Sequence, residues 1–169
     1  MPFTESLLTL AGFVFAHAAW SVSDLSKGEL LVPLAIVEKA GQRQLLRFES
    51  DSQEQAISKG KTMLAMHEQG IDAWAFAREG QIQEGGVYVD VLTVEAKVSG
   101  ATSTVVFVQR FQPFASGQFK LLGVPMVAVG GKALSSADAE PLLVQLRAGV
   151  QSHSKAAEHW RSGRLNEDA

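Results

Sequence analysis

The chain has 169 residues, 46% of them hydrophobic and 20% charged, with 15 Lys+Arg against 18 Asp+Glu. That length and apolar fraction predict one domain with a sizeable core and exclude wholesale disorder. A net charge of -3 supplies no basic field for a dedicated nucleic-acid or anionic-membrane binder, and the absence of cysteine excludes disulfides, thiolate zinc sites, iron–sulfur clusters and cysteine nucleophiles.

From Leu7 to Trp20 the chain is apolar apart from Thr9, Gly12 and His17. Phe3, Leu7, Leu10, Val14 and Ala18 fall on one stripe, which predicts a helix docked in the core. Two other readings stay open, an atypical export signal ending at Ala16-His17-Ala18 and an interfacial anchor. Against a signal, Glu5 stands near the start and Lys27 is the first basic residue. The run is also short of the ~20 apolar residues a membrane span needs. A cytoplasmic protein without a membrane span is the expectation.

Leu30–Glu38 and Arg43–Glu49 read as a hairpin about Lys39-Ala40-Gly41-Gln42. Pro33 inside the first strand predicts a sheet edge or a bulge, because it has no backbone donor. Asp51, with Glu54 three residues on, predicts the N-cap of a helix running to Gln69. Its stripe is Ala56, Ile57, Gly60, Met63, Leu64 and His67, and Gly70 is the stop. Ile71–Arg78, Val87–Val98 and Ser103–Gln112 predict an antiparallel meander, to which Phe119–Leu122 and Val124–Val129 add one or two strands. Ser135, Ser136 and Asp138 offer caps for a last helix ending near Ser162, with Pro141 in its first turn. Leu142, Leu146, Val150, His153, Ala157 and Trp160 make its apolar face, and 164–169 reads as a frayed tail. No repeat, low-complexity tract or linker divides the chain. The expected fold is a single α+β domain over 1–169. It has a mainly antiparallel sheet of about five to seven strands and N-terminal, middle and C-terminal helices.

The short Ser99–Thr102 loop fixes a register in which Ala96 faces Val105, Val94 faces Phe107 and Leu92 faces Gln109. The core side then carries Tyr88, Leu92, Val94, Val105, Phe107 and Phe111. The other side mixes Thr93, Glu95, Lys97, Thr104 and Arg110 with Val87, Val89, Val91, Val106 and Val108. Such a face is either covered by the N-terminal hairpin or helix, or meets a second copy of the protein.

Few residues form a pattern with chemistry. Glu95-Ala96-Lys97 after Asp90 matches the acidic, E-x-K arrangement that holds magnesium in restriction-type nucleases, where two carboxylates bind the ion and the lysine handles water. Strand alternation sends Asp90 and Glu95 to opposite faces, so Asp72 is the better partner. The bland reading is a surface pair at a strand end. Asp90 itself falls on the core side between Tyr88 and Leu92, opposite Phe111. A carboxylate there is either a partnered rim residue or an orienting or acid/base group in a pocket. His17, His67, His153 and His159 show no ligand spacing, so no metal site is expected, and His17 and His67 read as core-rim residues. Gly130-Gly131-Lys132 fails as a phosphate loop, since Met126 and Ala133 stand where Gly and Ser/Thr belong. Gly-x-Ser-x-Gly is absent. Trp74 and Phe76 share a strand face, as a stacking platform or as core.

Ile71-Asp72-Ala73-Trp74-Ala75-Phe76-Ala77-Arg78-Glu79-Gly80 followed by Tyr88-Val89-Asp90-Val91-Leu92-Thr93-Val94-Glu95-Ala96 resembles a class of small bacterial domains of unknown function. In these a strand and Asp-Gly turn precede a strand ending D-ϕ-ϕ-ϕ-V-E-A. The resemblance covers the central third of the chain, and Arg78-Glu79-Gly80 departs from the Asp-Gly. It implies an α+β fold in a bacterial protein and carries no activity, cofactor or site residue.

The leading expectation is therefore a non-enzymatic module that self-associates, as a homodimer or larger oligomer, or binds another protein, with no cofactor and no nucleic acid. The alternative is a small-molecule binder or enzyme with a pocket near Asp90 and Glu95, drawing on Asp72, Arg78, Lys97 and Arg110. The third is a metal-dependent nuclease-like site at Asp72, Glu95 and Lys97.

Overall fold

The computed structural model describes residues 3–156 and the backbone of 164–165. Among these, helix α1 (Glu5–Val22) is followed by strands β1 (Leu34–Lys39) and β2 (Gln42–Arg47), then helix α2 (Gln53–His67). Four strands come next: β3 (Ala73–Glu84), β4 (Val87–Val98), β5 (Val105–Gln112) and β6 (Lys120–Val129). The two-residue β7 (Lys132–Ala133), helix α3 (Ser136–Ser152) and the two-residue β8 (Arg164–Leu165) complete the order. The sheet runs β2-β1-β3-β4-β5-β6-β7 with every neighbour antiparallel. The result is the expected single α+β domain with three helices.

Helix α1 lies across the inner face of the sheet, and α3 packs on the far side of α1. The stripe Phe3, Leu7, Leu10, Val14 and Ala18 is buried as expected, but so are Leu8, Ala11, Phe15, Ala16 and Ala19. Both flanks are occupied, which is why the run is apolar nearly all round. By length and mean hydropathy (1.2) α1 is sufficient to cross a membrane, yet 61% of it is buried within the fold. Beneath it the sheet presents Ala73, Ala75 and Ala77, small side chains that let the helix approach closely. On the other side, Gly12 and Gly149 bring α1 and α3 into backbone contact. A Cβ on Gly12 would stand 2.0 Å from the Leu146 carbonyl oxygen, and one on Gly149 2.1 Å from that of Thr9.

Helix α2 covers part of the opposite face, over Ala35, Val37, Phe48, Trp74 and Phe76. Its Gly60 lets it settle on the Phe48–Phe76 ring pair, which meets edge-on at 5.8 Å.

Several local expectations need correction. The strand β1 is internal, between β2 and β3, and Pro33 lies just before it, where its carbonyl accepts from Phe48 N–H at 2.9 Å. The cap of α2 is Ser52, whose hydroxyl accepts from Gln55 N–H at 3.1 Å, and not Asp51. His67, expected at the core rim, is exposed at the end of α2, and Tyr88, expected on the core side, is exposed because the far end of the β3–β4 ribbon projects beyond the helices. Helix α3 stops at Ser152, where His153 turns to extended backbone, and Pro141 sits in its second turn. Ala157, His159, Trp160 and Ser162 lie outside the described residues. Arg164–Leu165, expected in a frayed tail, pair in parallel with Leu121–Leu122 on β6, and 166–169 lie outside the described residues.

Candidate functional site

The six residues singled out in the sequence are held in five separate places. Asp72 precedes β3 and its Oδ2 accepts from Ala40 N–H at 2.8 Å, bracing the β1–β2 turn in which Ala40 adopts φ 50°. Arg78 and Glu95 meet on the outer face, Nη1 to Oε1 at 2.6 Å, with Lys61 of α2 at 3.5 Å from the same oxygen. Lys97 donates to Glu68 at 2.9 Å, and this bond holds the Glu68 carboxyl below the usual range. Arg110 clamps Glu84 through two bonds of 2.5 and 2.8 Å, which lower the Glu84 carboxyl and raise the guanidinium. Every outer-face cation in this set therefore has an acidic partner within the chain.

Asp90 alone reaches the inner face, paired in register with Gln81 and Phe111 as the strand alternation requires. Asp90 and Glu95 stand on opposite faces of β4, so one pocket near both does not form. Nor do Asp72 and Glu95 converge. Glu95 faces Phe76, four residues from Asp72 along β3, or roughly 13 Å at the rise of a strand. No group of three His, Asp or Glu side chains suited to a metal ion exists among the described residues. Trp74 and Phe76 are core under α2 and offer no open stacking platform.

What Asp90 does line is a cleft of about 190 Å³ at the end of the sheet where α1 stops. Val22, Leu25 and Phe111 supply apolar wall, Pro113, Ala115 and Ser116 one rim, and Ser26 to Leu30 the other. Glu79 of β3 joins Asp90 there. The inner-face series Ala73, Ala75, Ala77 continues at Glu79 just as α1 gives way to a loop, so a carboxyl replaces a methyl. Glu79 is 8% exposed and accepts from the Leu31 N–H at 3.0 Å. Burial pushes its carboxyl up, and the neighbouring Asp90 charge adds to the rise, against the Leu31 bond that lowers it. Asp90 in turn accepts from the Gln81 side chain at 3.2 Å. Glu79 escaped the sequence reading because its strand was expected to end at Arg78. The period-two continuation of the alanines was the signal that would have found it.

On the outer face α2 covers β1 and β3, and among the described residues no helix lies over β5 and β6 or over most of β4, although Val91 of β4 is itself buried beside Arg110. Val89, Val106, Val108 and Ala128 are half-buried there, and Met126 is 40% exposed. Beside this strip runs a β-bulge between Val108 and Arg110, where the buried Gln109 amide turns to the inner face and donates to the Leu122 and Gly123 carbonyls at 3.1 and 3.2 Å. Compared with protein-family models, curated proteins and solved structures, the chain has no match, so the resemblance of the two central strands rests on those strands alone.

Proposed function

We propose that the chain is a self-associating module whose outer face, over β4, β5 and β6, packs against a second copy. The observation that carries this reading is the half-covered sheet. The N-terminal hairpin extends the sheet edge and α1 takes the inner face, so neither of the two elements expected to cover the outer face does so. Among the described residues only α2 lies there, and it reaches β4 through the side chain of Lys61, 3.5 Å from Glu95. The strip it leaves is Val89, Val106, Val108, Met126 and Ala128, bordered by the ion pairs Arg78–Glu95 and Arg110–Glu84. With those charges already neutralised inside the chain, the surface suits an apolar, charge-balanced counterpart, and an isologous pairing of two strips meets that requirement. Native mass spectrometry is the test. A dimer that Val108→Arg converts to monomer supports the reading. A monomer at high micromolar concentration removes self-association and leaves a different protein as the partner.

The cleft favours a second reading, binding of a compact cationic ligand such as a small amine. Glu79 and Asp90 place two carboxyls against apolar wall, and about 190 Å³ is below the roughly 300 Å³ at which drug-sized pockets begin. On this reading methylamine or a short diamine raises the melting temperature, and Asp90→Asn abolishes the rise. No rise with either amine sinks it.

A further inference from the structure

His17 on α1 and His153 at the end of α3 are 136 residues apart in sequence, yet His17 Nδ1 lies 3.0 Å from His153 Nε2. The hydrogen-bond network assigns their protons. His153 Nδ1 accepts at 3.0 Å from the Ala156 N–H, which it shares with the His153 carbonyl oxygen at 3.2 Å, so the ring proton sits on Nε2 and is donated to His17 Nδ1. That acceptor role places the His17 proton on Nε2, a buried atom without a partner among the described residues. Both acceptor nitrogens of the pair are thus in use, and an added proton has no free lone pair to occupy. It must displace either the Ala156 N–H or the bond between the rings. A 3.0 Å separation also suits two ligands of one metal ion, but the Ala156 bond puts a proton, not a lone pair, on the His153 edge that faces His17.

The surroundings oppose a charge further. Phe13 packs on His153 at 4.5 Å, and Trp20 stands 5.9 Å from each ring. The charges that act on the rings are cations: Arg47 of β2 on His17, and Lys155 of the following turn on His153. Arg43 of β2 lies over the Phe13 ring at 5.1 Å and is held by Glu38.

We propose that the His17–His153 pair is a proton-controlled latch that fastens the turn after α3 to α1. With both rings neutral the latch is closed. Protonation of either ring removes one of the two bonds in the chain Ala156–His153–His17, and the turn at 154–156 leaves α1 while the sheet and its packed helices stay folded. Burial, first among the causes for both rings, lowers their titration below the ordinary histidine value of 6.5, so release belongs below that pH.

Imidazole nitrogen NMR and amide exchange on the intact chain test the latch. At pH 8 both rings are expected as the Nε2–H tautomer. On acidification the first ring to protonate opens the latch, and the protection factor of the Ala156 amide falls at least tenfold while that of Val94 in β4 holds. Three results would each overturn the proposal: a proton on Nδ1 of either ring at pH 8; Ala156 protection unchanged through the titration of both rings; or Ala156 and Val94 losing protection together, which is global unfolding. The variant His17→Leu leaves the His153 proton without an acceptor, so its Ala156 amide exchanges at pH 8 as the wild type does in acid. The wild-type titration decides the matter without the variant.

Discussion

Glu79 combines burial with an ionisable group, and the two make opposite demands. Because the folded state raises its carboxyl above the ordinary value of 4.5, the folded state binds this proton more tightly than the unfolded chain does. The stability it contributes is fully present below 4.5 and is lost as pH rises through the folded value. At pH 7.5 an ionised Glu79 is therefore a cost to the fold. Glu79→Gln keeps an oxygen for the Leu31 N–H and removes the charge, so thermal denaturation is expected to show a higher melting temperature than wild type at pH 7.5 and no difference near pH 4. Glu79→Leu instead strands a buried donor, a loss of about 1–3 kcal/mol that persists at both pH values. A glutamine variant no more stable than wild type at pH 7.5 would show that the Glu79 charge costs the fold nothing. Asp90, five residues or roughly 16 Å from Glu95 along the strand and on its other face, is placed for this partner instead.

At the scale of elements, the contact between α1 and α3 turns on two glycines. An alanine in a helix interior is ordinarily worth up to about 1 kcal/mol over glycine. Here the added methyl would collide with backbone oxygens at 2.0 and 2.1 Å, atoms that cannot swing aside as a side-chain tip can. The collision decides the sign, and Gly12→Ala or Gly149→Ala is expected to cost about 3 kcal/mol or more by urea denaturation, at or beyond the upper end of overpacking penalties. The double variant should fall short of the sum, since moving the helices apart once relieves both clashes. Full additivity would mean the two contacts are independent. Strand register shows how far such elements are legible in sequence. Leu92 opposite Gln109 and Val94 opposite Phe107 follow from the short loop between β4 and β5, and the structure has both pairs. The β3–β4 register was equally written, in Gly85-Gly86, whose positive φ angles of 56° and 81° make a two-residue turn joining Glu84 to Val87. The signal was hidden because Glu79–Glu84 is largely polar and reads as loop. It is polar because that length of ribbon passes beyond both helices and most of it stays in water. The meeting of His17 with His153 has no such local signal, since it depends on two helices crossing.

For the whole molecule, the layers are sheet, α1 and α3 on one side and α2 on part of the other. Composition and periodicity predict the elements but not this distribution, because an apolar stripe says that a helix face is buried and not by what. The uneven cover has a thermodynamic consequence if a second copy completes it. A dimer that must dissociate to unfold gains stability with concentration, about 1.4 kcal/mol per mole of dimer for each tenfold rise. The melting temperature of the wild type is therefore expected to climb across a hundredfold concentration series measured by calorimetry. Val108→Arg and Met126→Glu put a charge in the middle of the strip, where the partner chain would have to desolvate it, and both should flatten the series. At low concentration, where the wild type is monomeric, neither substitution should lower its melting temperature much, because both side chains already reach solvent in the monomer. This contrast separates a lost interface from a damaged fold. A wild-type melting temperature that does not move with concentration would assign the open face to a partner other than this chain.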